Sequence, residues 1–142
     1  MSNQKLFITG GSGYIGSVVI EYAIAEGFLV TALSRTPESD VKIKVLGATP
    51  VRGDLKSHDV LTREASKADA VINIADVISS NYAIAMDERF QINNDAIDAL
   101  AAGLKGSDKP LVLTSGTVYA APDSEGKETD ESNPGCKSPC LK

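Results

Sequence analysis

The sequence predicts an α/β protein built on a parallel sheet with helices over both faces. Three observations carry that expectation. Short apolar runs end at glycine or polar residues, the segments between them repeat apolar residues at helical spacing, and the two kinds of segment alternate up to Thr114. Right-handed crossovers between parallel neighbours follow.

The first strand is the apolar triplet Leu6-Phe7-Ile8, which stops at a cluster of glycines. Beyond the glycines, Ile15, Val18, Val19 and Tyr22 recur at i, i+3, i+4 and i+7 and predict the packed face of a helix that Gly27 ends. Phe28 to Leu33 predicts a second strand, Glu38 to Leu46 a helix closed by Gly47, and Thr49 to Arg52 a third strand. Ser57 to Ser66 reads as a helix with Ser57 as its N-cap, and Ala70 to Ala75 as a fourth strand. A long helix from about Tyr82 to Leu104, with Gly106 beyond it, sets Phe90, Ile97, Leu100 and Leu104 on one apolar side. Pro110 to Thr114 is the fifth strand.

From Ala121 onward the character changes, with three prolines, two glycines and five acids and almost no apolar side chains. Residues 1–121 therefore read as the folded domain and residues 122–142 as a polar loop or disordered tail.

At 142 residues, 42% hydrophobic and 23% charged, the chain has the size and composition of one globular domain with a real core. A formal charge of −5 without a local basic patch sets aside nucleic acid and anionic membrane as partners. The most apolar long region, Ser17 to Leu33, is interrupted by Glu21 and Glu26, and the N-terminus lacks the pattern of a signal peptide, so a cytoplasmic protein is expected. Cys136 and Cys140 sit together in the last seven residues and His58 is the sole histidine, which supplies neither a disulfide framework nor a metal site.

The chemistry starts at "TGGSGYIG". Gly11, Gly13 and Gly16 satisfy G-x-G-x-x-G, while Gly10, Gly13 and Gly16 satisfy the wider G-x-x-G-x-x-G. In either pattern an early glycine permits a sharp strand-to-helix turn, Gly13 lets backbone approach a pyrophosphate, and Gly16 lets the helix pack close to the sheet. The amides that open the helix then face the phosphates. At the end of the second strand, where an acid would hold the ribose hydroxyls of NAD, stand Ser34 and Arg35, a hydroxyl and a guanidinium suited to a 2′-phosphate. NADP is therefore expected, with NAD as the other option and a solvated surface arginine as the structural reading. Asp54, in "RGDL", falls at the carboxyl end of the third strand, where it either accepts from an adenine amino group or serves as a local turn residue.

Together "TGGSGYIG", "RGDL", "DAVINIA", Asn93 in the long helix and "KPLVLTSGTVYA" resemble the N-terminal part of the short-chain dehydrogenase/reductases, in the extended or atypical branch of NAD-dependent epimerases and dehydratases. The resemblance runs from about Gln4 to Ala121. It implies a Rossmann-type doubly wound sheet of about five strands in the order 3-2-1-4-5, truncated before the last strands. It further implies that Gly10, Gly13, Tyr14, Ile15 and Gly16 line the pyrophosphate, Ser34 and Arg35 the adenosine phosphate, and Asp54 with Leu55 the adenine. Ala75 falls beside the ribose, Thr114 on the cofactor side of the fifth strand, and Ser115 in the place of the hydroxyl that orients a substrate carbonyl. Asn93 resembles the helix residue that helps hold a proton-relay water; from its pattern alone it is equally a polar residue on a solvated face.

That family moves a proton with a tyrosine whose pKa is lowered by a lysine four residues later. Tyr14, Tyr22, Tyr82 and Tyr119 are followed at that distance by Val18, Glu26, Met86 and Asp123. The expectation is an NADP-binding domain, catalytically incomplete as it stands, toward an unidentified small-molecule substrate. Two other readings stay open: a non-catalytic dinucleotide-binding regulatory module, or a nonfunctional truncated product. A fifth strand without a sixth, and a long helix without a neighbour over Phe90, Ile97 or Leu104, also predict low stability or self-association.

Overall fold

β1 (Lys5–Thr9) lies at the centre of the sheet because it is apolar on both faces: Leu6 and Ile8 are buried on one, Phe7 on the other. The computed structural model describes residues 3–79, 81–115 and 125–126. Around β1 the chain runs through α1 (Tyr14–Ala25), β2 (Leu29–Ser34), α2 (Pro37–Val45), β3 (Thr49–Arg52), α3 (His58–Lys67), β4 (Ala70–Asn73), a single 3₁₀ turn (Val77–Ser79), α4 (Met86–Leu104) and β5 (Leu111–Leu113). The five strands are all parallel in the order β3-β2-β1-β4-β5, the Rossmann-type order expected. Residues 122–124 and 127–142 of the expected tail lie outside the described residues, as do Cys136, Cys140 and Tyr119.

Two apolar layers hold the sheet. Leu6, Ile8, Val30 and Ala32 pack with Ile20 of α1 and Ile43 of α2 on one side. Phe7, Leu33 and Val71 pack with Leu61 and Ala65 of α3 and Ile92, Ala96 and Leu100 of α4 on the other. α3 and α4 approach closely. Thr62 Oγ1 donates to the Ala99 carbonyl across 2.9 Å, and a Cβ at Gly103 would overlap the Thr62 carbonyl oxygen and come within 2.8 Å of Ala65 Cβ.

The packed face of α1 differs from the expected one. Gly16, Ile20 and Ala23 are buried, with Val19 and Ile24 half-buried beside them, while Ile15 is 61% and Tyr22 71% exposed. The reason is Gly16: a Cβ there would overlap the Gly10 carbonyl oxygen and lie 2.7 Å from its carbon, so the helix must turn its hydrogen-only position to the preceding loop. That rotation carries Ile15, Val18 and Tyr22 outward. Apolar spacing counted from Ile15 fits a helix equally well but cannot detect which row is fixed by a backbone approach.

Element ends also shift for local reasons. α4 begins at Met86 rather than near Tyr82 because Asn81 first makes a turn, its side chain accepting from Ala83 N–H at 3.0 Å and its carbonyl from Ile84 N–H at 3.3 Å. β4 ends at Asn73 because Ala75 N–H leaves the ladder for Thr9 Oγ1. Ser57 does sit at the start of α3, but its hydroxyl bonds Asp54 rather than the helix. On α4, Leu104 is buried and Ile97 half-buried, so only Phe90 of the three remains exposed.

Candidate functional site

A crevice of about 800 Å³ opens at the carboxyl ends of β1 to β4. Four loops build it, one after each strand.

After β1, Gly10 takes the left-handed turn at φ +76°, and a Cβ there would lie 2.9 Å from the Ala75 amide nitrogen. Gly11 is instead a packing position, since its Cβ would come within 2.7 Å of the Ile20 side chain. The glycine of the turn is therefore the first of the wider pattern. Gly13 caps α1, donates to the Gly10 carbonyl at 3.1 Å, and leaves only that oxygen near its missing side chain. The amides of Tyr14, Ile15 and Gly16 open the helix, where no preceding turn supplies acceptors. No acidic residue stands in this first turn, so its positive field is uncompensated by α1 itself.

After β2, exposed Arg35 lines the crevice together with Ser39 and Lys42 of α2. Thr36 fixes this wall by capping α2, its Oγ1 accepting from Ser39 N–H at 3.2 Å, and Pro37 starts the helix. Arg35 and Lys42 form no ion pair among the described residues, whereas Arg52 on β3 is held by Asp40. Sequence reasoning found Arg35 and missed Ser39 and Lys42. Their positions four and seven residues after Arg35, on a helix facing it, are the signal that was available. Ser34 is buried and donates to the Thr36 carbonyl at 3.2 Å, so its side chain is not part of the crevice wall.

After β3, Asp54 and Leu55 line the crevice. The Asp54 carboxylate accepts from Lys56 N–H at 2.9 Å and Ser57 Oγ at 3.0 Å. It thus works as a turn residue while standing at the site.

After β4, Thr9 and Asn73, both buried, join the two central strands: Thr9 Oγ1 donates to Asn73 Oδ1 at 2.6 Å and accepts from Ala75 N–H at 3.2 Å. This sets Ala75 against Gly10. Asp76 follows, in a bidentate pair with Arg89 of α4 at 2.6 to 3.2 Å, and Arg89 holds its carboxyl below the usual carboxylate range against the opposing effect of burial. Asn93 accepts from Val77 N–H at 3.2 Å, so it ties this loop to α4 instead of lying on a solvated face. Thr9 and Asn73 fall inside the motifs TGGSGYIG and DAVINIA but were given no role from sequence, and Asp76 and Arg89 were not singled out.

The crevice is therefore polarised along the strand order. Arg35, Lys42 and Lys56 lie toward the β2–β3 side with Asp54 among them; Glu88 and the Arg89-paired Asp76 lie toward α4, with Val77, Ile84 and Ile92 beside them. Thr114 and Ser115 are exposed and do not line it; Thr114 donates through both N–H and Oγ1 to the Asn73 carbonyl. Among the described residues no group of three histidine, cysteine, aspartate or glutamate side chains is placed to hold a metal ion.

Residues 6–140 match the model of the NAD dependent epimerase/dehydratase family. The chain is 37% identical over 130 residues to an uncharacterised protein of Saccharomyces cerevisiae, covering 89% of this chain and 42% of that protein. It is 36% identical over 97 residues to the sterol-4-alpha-carboxylate 3-dehydrogenase (decarboxylating) of Dictyostelium discoideum, covering 68% of this chain and 29% of that one. Among solved structures, UDP-glucose 4-epimerase from Bifidobacterium longum in complex with NAD+ and UDP superposes with a TM-score of 0.70 at 20% identity, over 94% of this chain and 43% of the epimerase, a likeness of fold. The chain spans about two-fifths of the length of the first curated relatives it matches.

Proposed function

The chain belongs to the NAD-dependent epimerase/dehydratase family, and from that premise we propose that its crevice binds a nicotinamide dinucleotide, NADP in preference to NAD, as the cofactor half of an oxidoreductase. The observation that carries the reading is the polarised crevice: a glycine turn that opens a helix between a wall with Arg35 and Lys42 and a loop pinned by Thr9 and Asn73.

The residues fit the cofactor chemically. The glycine turn and the amides of Tyr14, Ile15 and Gly16 suit a pyrophosphate, because Gly13 presents no side chain there. Arg35, with Ser39 and Lys42, offers two cations and a hydroxyl for a 2′-phosphate. Asp54 and Leu55 suit adenine, and Ala75, which lines the crevice, would border the ribose. The bound cofactor supplies or accepts hydride. The apolar side chains of Val77, Ile84 and Ile92 would shield that end from water.

The proton-transfer half is weaker. Ser115 is positioned in sequence to orient a carbonyl oxygen, but no tyrosine of this chain has a lysine four residues on. The proposal therefore concerns the cofactor half alone, and no residue described in this structure is assigned the proton transfer.

Calorimetric titration with NADPH and with NADH tests this. A charge-assisted contact of about 1.5–3 kcal/mol predicts roughly ten- to hundredfold preference for NADPH, lost in Arg35→Ala. Equal affinities sink the NADP preference. Absence of binding by a folded chain sinks the cofactor reading.

A further inference from the structure

The wall built by α2 and the loop after β3 is less basic than its cations suggest. Arg35, Lys42 and Lys56 are matched in number by Glu38, Asp40 and Asp54, so residues 35–42 together with the loop after β3 carry no net charge of their own. Glu38 and Asp40 stand in the first turn of α2, where the helix terminus favours acids. The same two carboxylates oppose an anion bound at Arg35.

The cation that breaks this balance comes from the neighbouring strand. The parallel register sets Arg52 of β3 opposite Ser34 of β2, the residue before Arg35. Its guanidinium reaches α2 and donates to Asp40 Oδ2. Asp40 directly follows Ser39, which lines the crevice, and Lys42 lies two residues further on. With Asp40 held in this way, Arg35 and Lys42 keep their charges unpaired among the described residues. The field of Arg52 also reaches Glu38: its carboxyl lies below the usual range, chiefly through its own backbone amide and the Thr36 hydroxyl, with the Arg52 charge acting in the same direction. Arg52 itself does not line the crevice.

We propose that Arg52 is a positioning residue for dinucleotide selection: by occupying Asp40 it withdraws an acid from the wall and leaves Arg35 and Lys42 a net positive field toward a 2′-phosphate. The inference rests on the NADP reading above and adds to it a residue that acts through Asp40 rather than on the ligand. A phosphate monoester carries between one and two negative charges, whereas the ribose hydroxyl that NADH has in its place carries none. Only the phosphorylated cofactor therefore responds to this field. The two side chains are 50% and 26% exposed, so solvent and salt screen the effect, and it amounts to about threefold at physiological ionic strength. A purely structural role, in which the pair only fastens α2 to β3, changes the affinity for both cofactors alike.

The test is a charge cycle on the full chain, titrated with NADPH and with NADH. Arg52→Met lowers the ratio of NADPH to NADH affinity about threefold, and by more at low salt. Asp40→Asn raises the ratio by a similar factor, because the acid is gone and Arg52 stays. The double variant has the parent's net charge and returns the ratio to the parent's value. Lys67→Met, which removes a cation paired with Glu64 on α3, leaves it unchanged. A ratio indifferent to Arg52→Met overturns the proposal, and so does a loss that the double variant retains, since a broken fastening is not mended by Asp40→Asn. If Arg52→Met does not fold, Asp40→Asn alone decides, and a ratio that fails to rise is the refuting result. A parent chain that binds both cofactors equally removes the NADP reading and this inference together, whereas a preference present in the parent and kept in Arg52→Met removes this inference alone.

Discussion

Replacing Gly16 by alanine separates the fold's demand for a glycine from the ligand's. The added Cβ would overlap the Gly10 carbonyl oxygen and stand 2.7 Å from the Gly10 carbon and 2.8 Å from Gly11 Cα, all backbone atoms of a turn that is itself fixed against Ala75. No side chain can rotate away to make room. The helix must move off the turn, which also strips Ile20 from its buried place, so the cost is expected to exceed about 3 kcal/mol. Gly13→Ala is the contrast. Its backbone, at φ −81° and ψ 175°, suits any residue, and its Cβ would meet only the Gly10 oxygen, at 3.3 Å. That variant should lose no more than about 1 kcal/mol. Urea denaturation read by circular dichroism measures both, and titration with NADPH of the folded Gly13→Ala variant measures the ligand's share. Weakened dinucleotide binding at nearly unchanged stability is expected there. A Gly16→Ala protein as stable as the parent would refute the close-approach argument, whatever it does to binding.

Three other outcomes follow from the packing and the pinned loops. Ile20→Ala should cost about 2–4 kcal/mol and Tyr22→Ala less than about 0.5 kcal/mol, since the first is fully buried and the second is not; comparable losses in urea melts would mean that the other row of α1 is the packed one. Gly103→Leu should destabilise by more than about 3 kcal/mol, because the side chain would enter the α3–α4 contact at Thr62 and Ala65, and a thermal melt indistinguishable from the parent's would disprove that contact. Arg89→Met should cost about 1 kcal/mol at neutral pH, a modest value because the Asp76 pair is partly solvated. Asp76 has a depressed native pKa, so the pair's contribution is present above the unfolded-state value and is lost as pH falls through the native one. The gap between parent and Arg89→Met in urea midpoint should therefore narrow as pH falls below the unfolded-state value of about 4, and a gap that stays constant on acidification would assign it to something other than this ion pair.

What was legible in the sequence was everything set by local pattern. Apolar runs, glycine ends and alternation found the five strands and the four helices between them, while the strand order and the places of Leu55 and Ala75 came with the family resemblance, and the glycine spacing with Arg35 and Asp54 marked three of the crevice loops. What was illegible depended on a partner distant in sequence. Gly103 looks like a defect within a helix until Thr62 is placed against it. Thr9 and Asn73 are ordinary strand residues until β1 and β4 pair in register. The rotation of α1 was recoverable in principle: Gly16 was read as the position that packs close to the sheet, and a helix with Gly16 inward cannot also turn Ile15 inward. Two correct local patterns conflicted, and the one with the smaller tolerance, backbone against backbone, decided.

The loops of the crevice share one further property that bears on how the site works. Each is held by a polar pair that requires no ligand: Thr9 with Asn73 and Ala75, Thr36 with Ser39, Asp54 with Ser57, and Asp76 with Arg89. A site fastened in this way loses little conformational entropy when it is filled, so more of the contact energy is available as affinity. Ser115 has no such place in the wall, lying exposed just past the strand that Thr114 ties to Asn73. Affinity for NADPH, measured without any substrate, is therefore the property that tests the proposed reading of this crevice most directly.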